Sequence, residues 1–284
     1  MKHNVLNTDL SGKVAVVTGA GGVLCSYFSL VLARAGAKVA LLGRHIENIS
    51  EVHKQIIDEG GIAKPYVCDV LDKARCEEVA SLIEKDFGKC DILINGAGGN
   101  NPKATTDKEY YEDGDIFKDD IKTFFNLSTE GVEGVFNLNF LGTLIPTQVF
   151  AKQMVGREGC SILNVSSMNA FTPLTKIPAY SGAKSAVSNF TQWLAVHFSK
   201  VGIRVNAIAP GFFSTKQNAK LLFNDDSTPT PRTGKILNAT PMGRFGKTEE
   251  LEGGLLFLLD NKASGFITGV VLPIDGGFSA YSGV

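Results

Sequence analysis

The sequence predicts a doubly wound α/β fold, a parallel sheet with helices on both faces. Three observations carry this. Short β-branched runs alternate with stretches of helical period along most of the chain. The strand candidates are continuously apolar, as in KVAVVT at residues 13–18, which suits strands buried on both faces. Glycines close the first two helical stretches, at Gly36 and at Gly60-Gly61.

In order, the first strand candidate is 13–18, followed by a helix over 23–35. A second pair covers 38–42 and 46–59, and a third covers 63–68 and 72–87. Further strands are expected at 91–95, 161–165, 204–208 and 270–274, with helices over 132–153, 179–201 and 249–259. Right-handed crossovers then place ligands beyond the carboxyl ends of the strands. Two stretches break the rhythm, 98–131 and 212–247. Both follow strands at that edge and are rich in Pro, Asn, Asp, Thr and Gly. Loops of this length in compact domains are usually functional or mobile. With no repeat and no dividing linker, residues 1–284 read as one domain carrying two substrate-loop insertions.

Composition narrows the function. Of 284 residues, 44% are hydrophobic and 20% charged, enough to fill a globular core. A net charge of −1 gives no global attraction to nucleic acid or an anionic membrane. No apolar run reaches the roughly 18 residues of a membrane span, and Met1-Lys2-His3-Asn4 lacks a signal-peptide pattern, so a cytoplasmic protein is expected. The five cysteines are scattered without a C-x-x-C pair, which favours small buried side chains over a disulfide framework or a zinc site. The four histidines show no ligand spacing, and no metal is expected.

After the first strand comes Thr18-Gly19-Ala20-Gly21-Gly22, a loop whose backbone N–H groups can approach a pyrophosphate at a helix N-terminus. Thr18-Gly19 leading into a helix resembles the T-G-x-x-x-G-x-G opening of the short-chain dehydrogenases/reductases, NAD(P)-dependent enzymes of Rossmann type. Val23 and Cys25 stand where that pattern has its last two glycines, with Gly21 and Gly22 placed earlier. Cys68-Asp69-Val70 resembles the family's adenine-holding segment, and Asn95-Gly96-Ala97-Gly98 its N-N-A-G run. The resemblance implies cofactor contacts from Gly19, Gly21, Gly22, Val23, Leu24, Asp69, Val70, Asn95, Ala97 and Gly98. The second strand ends in Gly43-Arg44, without the carboxylate that would take the ribose hydroxyls of NAD. Arg44 reads either as a solvated arginine or as a partner for a 2′-phosphate, which tilts the expectation mildly to NADP.

Tyr180-Ser181-Gly182-Ala183-Lys184 sets a phenol and an ammonium on one helical face. A neighbouring cation favours phenolate and should lower the phenol pKa. The phenol can then exchange a proton with a carbinol or carbonyl oxygen. Ser167, 13 residues upstream, can hold that oxygen; Ser166 is the alternative, and the family spacing selects Ser167. Asn139 resembles the family's fourth catalytic member, which implies a link between Lys184 and a proton-relaying water. Pro210-Gly211 through Thr215 resembles the segment shaping the nicotinamide pocket, with Phe213 and Thr215 implied at the carboxamide. Tyr180 and Lys184 are implied as cofactor contacts too, and Asp275-Gly276-Gly277 resembles the closing turn. The likeness runs from about residue 10 to 278.

Residues 98–106 are polar, which suits a polyhydroxylated ligand, or else a solvated surface insertion. The chain resembles the sugar-acid reductases of this superfamily, most closely the D-mannonate oxidoreductases (fructuronate reductases) and more loosely the gluconate 5-dehydrogenases. That implies D-fructuronate and D-mannonate as the reacting pair, in a homotetramer. Asn101, Lys103, Ser167, Asn169 and Tyr180 are the expected substrate residues, with Arg244 a further candidate for the carboxylate. Seven acidic residues against four lysines between 103 and 122 work against an anionic ligand there. Another polyol, sugar-acid or 3-oxoacyl reductase, and a non-catalytic NAD(P)-binding protein, are the alternatives. The intact set Asn139, Ser167, Tyr180 and Lys184 argues against the last.

Overall fold

The computed structural model describes residues 8–214, 222 and 228–283. Seven parallel strands form one sheet in the order β3-β2-β1-β4-β5-β6-β7. They are β1 (Val14–Thr18), β2 (Lys38–Gly43), β3 (Ile62–Val67), β4 (Ile92–Asn95), β5 (Cys160–Val165), β6 (Ile203–Pro210) and β7 (Val271–Ile274). The helices are α1 (Val23–Arg34), α2 (Ile46–Asp58), α3 (Lys73–Asp86), α4 (Thr129–Phe136), α5 (Gly142–Met154), α6 (Pro178–His197), α7 (Pro231–Asn238), α8 (Glu252–Leu259) and α9 (Asn261–Ser264). No helix among the described residues is long and apolar enough to cross a membrane.

Strand periodicity divides the core in two. Ala15 and Val17 of β1 face one layer with α1, α2 and α8, contributing Phe28, Ile49 and Leu255. Val14 and Val16 face the other, with Ile83 of α3, Phe150 of α5 and Leu194 of α6. β1, β4, β5 and β6 are buried throughout, as their continuous apolar runs require. β7 is only partly buried, and it tolerates Pro273 because an edge strand can spare one donor.

Strand order reverses between β1 and β4, so the turns after these strands meet at the carboxyl edge. A Cβ on Gly19 would lie 2.9 Å from the Ala97 Cα, which is why no side chain occupies that position. This crevice is where a doubly wound sheet binds ligands.

Three expected elements differ. The helix expected over 132–153 is interrupted by one π-helical turn, Asn137–Leu141, between α4 and α5. The helix expected to 201 stops at His197, and the stretch 212–247 contains α7, which the pattern did not reveal. Inside 98–131 the chain folds into short 3₁₀ turns at Pro102–Ala104, Asp115–Phe117 and Phe124–Asn126. Asp115 is the hub of that insertion: 1% exposed, it accepts from both Lys108 and Lys118 at 2.9 Å. These two ammonium groups hold its carboxyl well below the usual carboxylate range.

Candidate active site

Gly22 is the N-cap of α1 and brings no capping side chain. The first turn of α1 therefore offers uncapped backbone donors at Val23 and Leu24, an arrangement suited to a diphosphate. Gly19, Gly22, Ala97 and Gly98 line the cleft beside it, and Val70 and Arg44 reach it from β3 and β2. Gly21 must lack a side chain, since a Cβ there would lie 2.6 Å from the Cβ of Asn48 on α2. Asp69 lies between two cleft residues, and its Oδ1 accepts from the Leu71 N–H at 3.0 Å, which shapes the turn. Arg44 is exposed and makes no hydrogen bond or ion pair among the described residues. These features fit a dinucleotide: uncapped donors for phosphates, glycines for close approach, and an exposed cation at the ribose end.

Thr18, at the end of β1, clamps the opposite turn. Its Oγ1 accepts from the N–H groups of Gly96 (3.0 Å) and Ala97 (3.3 Å). Cys25 in a family glycine position is explained here. A Cβ on Gly96 would lie 2.0 Å from the Cys25 Sγ, so the bulk that α1 adds is accommodated by what the β4 turn omits. Gly96→Ala should therefore overpack the crevice, costing about 1–3 kcal/mol, roughly 2–10 °C in Tm. Adding Cys25→Gly to that variant should recover most of the loss in a thermal melt. If the double variant melts no higher than Gly96→Ala, the exchange of bulk is not what the site depends on.

Asn95 departs from expectation. Its side chain lies in the sheet interior rather than the cleft, with Nδ2 donating to Thr147 Oγ1 and Asn164 Oδ1, both at 2.9 Å. Asn164 passes the chain on to Thr191 Oγ1 at 2.9 Å. Asn95 thus ties β4 to β5 and α5 and supports the cofactor turn from below.

The four expected catalytic residues gather at the carboxyl edge. Lys184, 5% exposed on α6, donates from Nζ to the Val165 carbonyl at 2.8 Å. Its Nζ stands 5.7 Å from the Tyr180 ring centroid. Asn139 sits in the π turn with its amide fully engaged: Oδ1 accepts from Gly99 N–H at 3.2 Å, and Nδ2 donates to the Gly99 and Val135 carbonyls at 2.7 and 2.8 Å. The Asn139 carbonyl accepts from Thr143 Oγ1 at 2.9 Å. A Cβ on Gly98 would stand 2.6 Å from Asn139 Oδ1 and 3.2 Å from Lys184 Nζ. Gly98 is thus the gap through which these two groups approach each other. Ser167 Oγ, at the end of β5, accepts from the Asn169 N–H at 3.2 Å. Ser166 instead bonds Ser188 Oγ at 2.6 Å and the Lys184 carbonyl at 3.3 Å, turning inward to α6.

The expected depression of the Tyr180 pKa does not occur. Burial pushes the phenol above its ordinary value, opposed by a hydrogen bond with Ser167. Lys184 is itself brought down to about 8 by burial, with Cys25 acting weakly in the other direction. Spacing on a helix gives proximity, but desolvation is the largest influence on both groups.

The substrate candidates separate. Asn169 is 3% exposed and its Oδ1 has no hydrogen-bond partner among the described residues. Asn101 instead caps the first 3₁₀ turn of the insertion, its Oδ1 accepting from the Lys103 N–H at 2.9 Å. Lys103 is exposed over the start of α4, near Glu130 and Gly131. Arg244 is engaged by both carboxylate oxygens of Glu250 at 2.7 Å. Pro210 ends β6, and Gly211 packs so tightly on Asp275 that a Cβ would lie 2.6 Å from its Cα. Phe213 is buried, pairs with Gly246 and packs its ring on that residue, so its side chain belongs to the core. Thr215 lies outside the described residues.

Comparison with known proteins gives concordant results. The sequence profile of the short chain dehydrogenases matches residues 13–225. An uncharacterised oxidoreductase of Haemophilus influenzae is 60% identical over 278 residues, 98% of this chain and 97% of its own. A gluconate 5-dehydrogenase of Gluconobacter oxydans is 33% identical over 271 residues, 95% of this chain and 96% of its own. The crystal structure of a candidate D-mannonate oxidoreductase from Haemophilus influenza, with bound NAD, superposes with a TM-score of 0.95 at 60% identity. It covers 99% of this chain and 100% of that one.

Proposed function

The chain belongs to the short chain dehydrogenase family, and on that premise we propose that it interconverts D-fructuronate and D-mannonate with NAD(P) as redox partner. The observation that carries the reaction class is the meeting of Lys184 and Asn139 at Gly98, with the Tyr180 ring beside Lys184 and next to a cleft suited to a dinucleotide. The choice of sugar acid is supported by the candidate D-mannonate oxidoreductase and the gluconate 5-dehydrogenase among the relatives. Within the site it is supported by Asn169, whose buried, unpaired acceptor a substrate hydroxyl would satisfy.

Bound nicotinamide supplies or accepts the hydride. The chain supplies the rest. Ser167 donates a hydrogen bond from its hydroxyl to the substrate oxygen and holds it beside the phenol. Tyr180 gives that oxygen a proton in the reductive direction and takes one in the oxidative direction. Burial keeps the phenol protonated at neutral pH, which favours reduction there. Lys184, protonated below about pH 8, provides positive potential as the phenol yields its proton. Asn139 fixes the Gly99 peptide and so keeps Gly98 open between cofactor and lysine.

NADP is the proposed preference, through Arg44 at a ribose end that has glycine where an acid would stand. A homotetramer is proposed as well; exposed Trp193 and Val196 on α6 offer it an apolar helix face.

The test follows NADH and NADPH oxidation against fructuronate, tagaturonate and 5-ketogluconate. Fructuronate should give the highest kcat/KM, and Arg44→Ala should raise KM for NADPH about tenfold with little change for NADH. Highest efficiency on 5-ketogluconate would replace the substrate assignment. Equal shifts for the two cofactors would remove Arg44 from phosphate recognition.

A further inference from the structure

Cys68 and Cys76 were expected to be isolated buried thiols, yet the fold brings them together. Cys68 follows β3 and Cys76 lies in the first turn of α3, with their sulfurs 3.6 Å apart. The seven residues between them begin with Asp69-Val70, the turn assigned above to the adenine end of the cofactor. Both sulfurs lie 3.7 Å from the Asp69 carbonyl oxygen, and Cys76 lies 3.9 Å from that of Val70. Cys68 and Val70 line the nucleotide cleft.

We propose that Cys68 and Cys76 are a modification site: a dithiol oxidised by hydroperoxides to a reversible disulfide when the nucleotide cleft is empty. This rests on the adenine-end placement of residues 68–70 made above. One S–H donates to the other sulfur, which holds Cys68 below the usual thiol value and favours its thiolate. The Cys68 thiolate attacks the peroxide oxygen, forming a sulfenic acid and releasing an alcohol, or water from hydrogen peroxide. Cys76 then attacks that sulfur, the S–O bond breaks, and water leaves as the S–S bond forms. The two sulfurs together lose two electrons, and those electrons reduce the peroxide O–O bond.

The consequence follows from geometry. A disulfide needs its sulfurs about 2.05 Å apart, so the first turn of α3 and the turn at Asp69-Val70 must draw together. Arg75 Nε already ties α3 to the Val67 carbonyl at 2.9 Å, and Asp72 caps the helix through the Arg75 N–H at 2.9 Å. With the helix anchored on β3, the movement falls on Asp69-Val70, part of the cleft wall. Cys68 is 1% exposed and Cys76 fully buried, so a peroxide reaches them only when the turn at Asp69-Val70 opens; a bound cofactor packed on that turn should hold it closed and protect the pair.

The experiment treats reduced, cofactor-free protein with hydrogen peroxide, then denatures it in N-ethylmaleimide for intact-mass and peptide analysis. A Cys68–Cys76 cross-link, two hydrogens lighter, is expected, with saturating NADPH suppressing it and dithiothreitol reversing it. Calorimetric titration should show the NADPH dissociation constant rising about tenfold on oxidation. Cys76→Ser should keep the reduced protein's affinity, form no cross-link and leave a dimedone-reactive sulfenic acid at Cys68. Absence of the cross-link, formation in equal yield with NADPH present, or unchanged affinity after oxidation would each overturn the proposal. Titration of the reduced protein separates the two readings: no NADPH binding there would remove the adenine-end assignment itself.

Discussion

Tyr180→Phe is expected to lower kcat by about 10² to 10⁴, the usual worth of a positioned general acid. The substitution keeps the ring against Val135, Ala179 and Ala183 and removes only the phenolic oxygen. Thermal stability and NADPH affinity should therefore be nearly unchanged, which separates a chemical loss from a folding defect. The pH profile adds a second reading. Because burial raises the phenol pKa, reduction by the wild-type enzyme should hold through neutral pH and decline in the alkaline range as Tyr180 ionises. Oxidation should rise across that same range, since it requires the phenolate. Both trends should vanish in the variant. Turnover within about threefold of wild type would remove Tyr180 from the proton-transfer role.

Lys184→Met should reduce kcat by about 10² to 10³ and still leave the cofactor-free protein at least as stable as wild type at pH 7. Lys184 has a folded pKa of about 8 against an unfolded value near 10.5. A base whose pKa is depressed on folding is charged at a cost below its folded pKa. That cost is relieved as pH rises from about 8 to about 10.5, where the unfolded chain binds more protons, so wild-type stability should climb across this window. The depression corresponds to about 3 kcal/mol at neutral pH. Methionine fills a similar volume without the charge and forfeits the Nζ bond to the Val165 carbonyl, worth about 1–1.5 kcal/mol. The net should be a gain of roughly 1–2 kcal/mol, and the variant's stability should lack the alkaline rise. A Tm several degrees below wild type at pH 7 would show that the buried ammonium is not a burden the fold carries for function.

Much of this protein was determined by local sequence. Continuous apolar runs placed the strands because both faces of the sheet are covered, and helix ends at Gly36 and Gly60 were set by residues free to adopt positive φ. The proposed catalytic residues could be picked out because spacing along strands and helices follows from regular geometry: Tyr180 and Lys184 both lie on α6, and Ser167 follows β5. What tertiary structure alone decided depends on distance through space. No local pattern announces that Cys25 fits because Gly96 has no Cβ, or that Gly98 opens the way between Asn139 and Lys184. The Cys68–Cys76 contact was invisible for the same reason, since α3 must fold back on the turn after β3 before the sulfurs meet. The sign of the Tyr180 shift was misjudged because spacing reveals a neighbouring charge, whereas desolvation is set by everything packed around it. Asn101, Lys103 and Arg244 were chosen for chemistry suited to a carboxylate. The fold turns Asn101 into a helix cap, leaves Lys103 over α4 and commits Arg244 to Glu250, because a polar group's role follows from the partner it meets first.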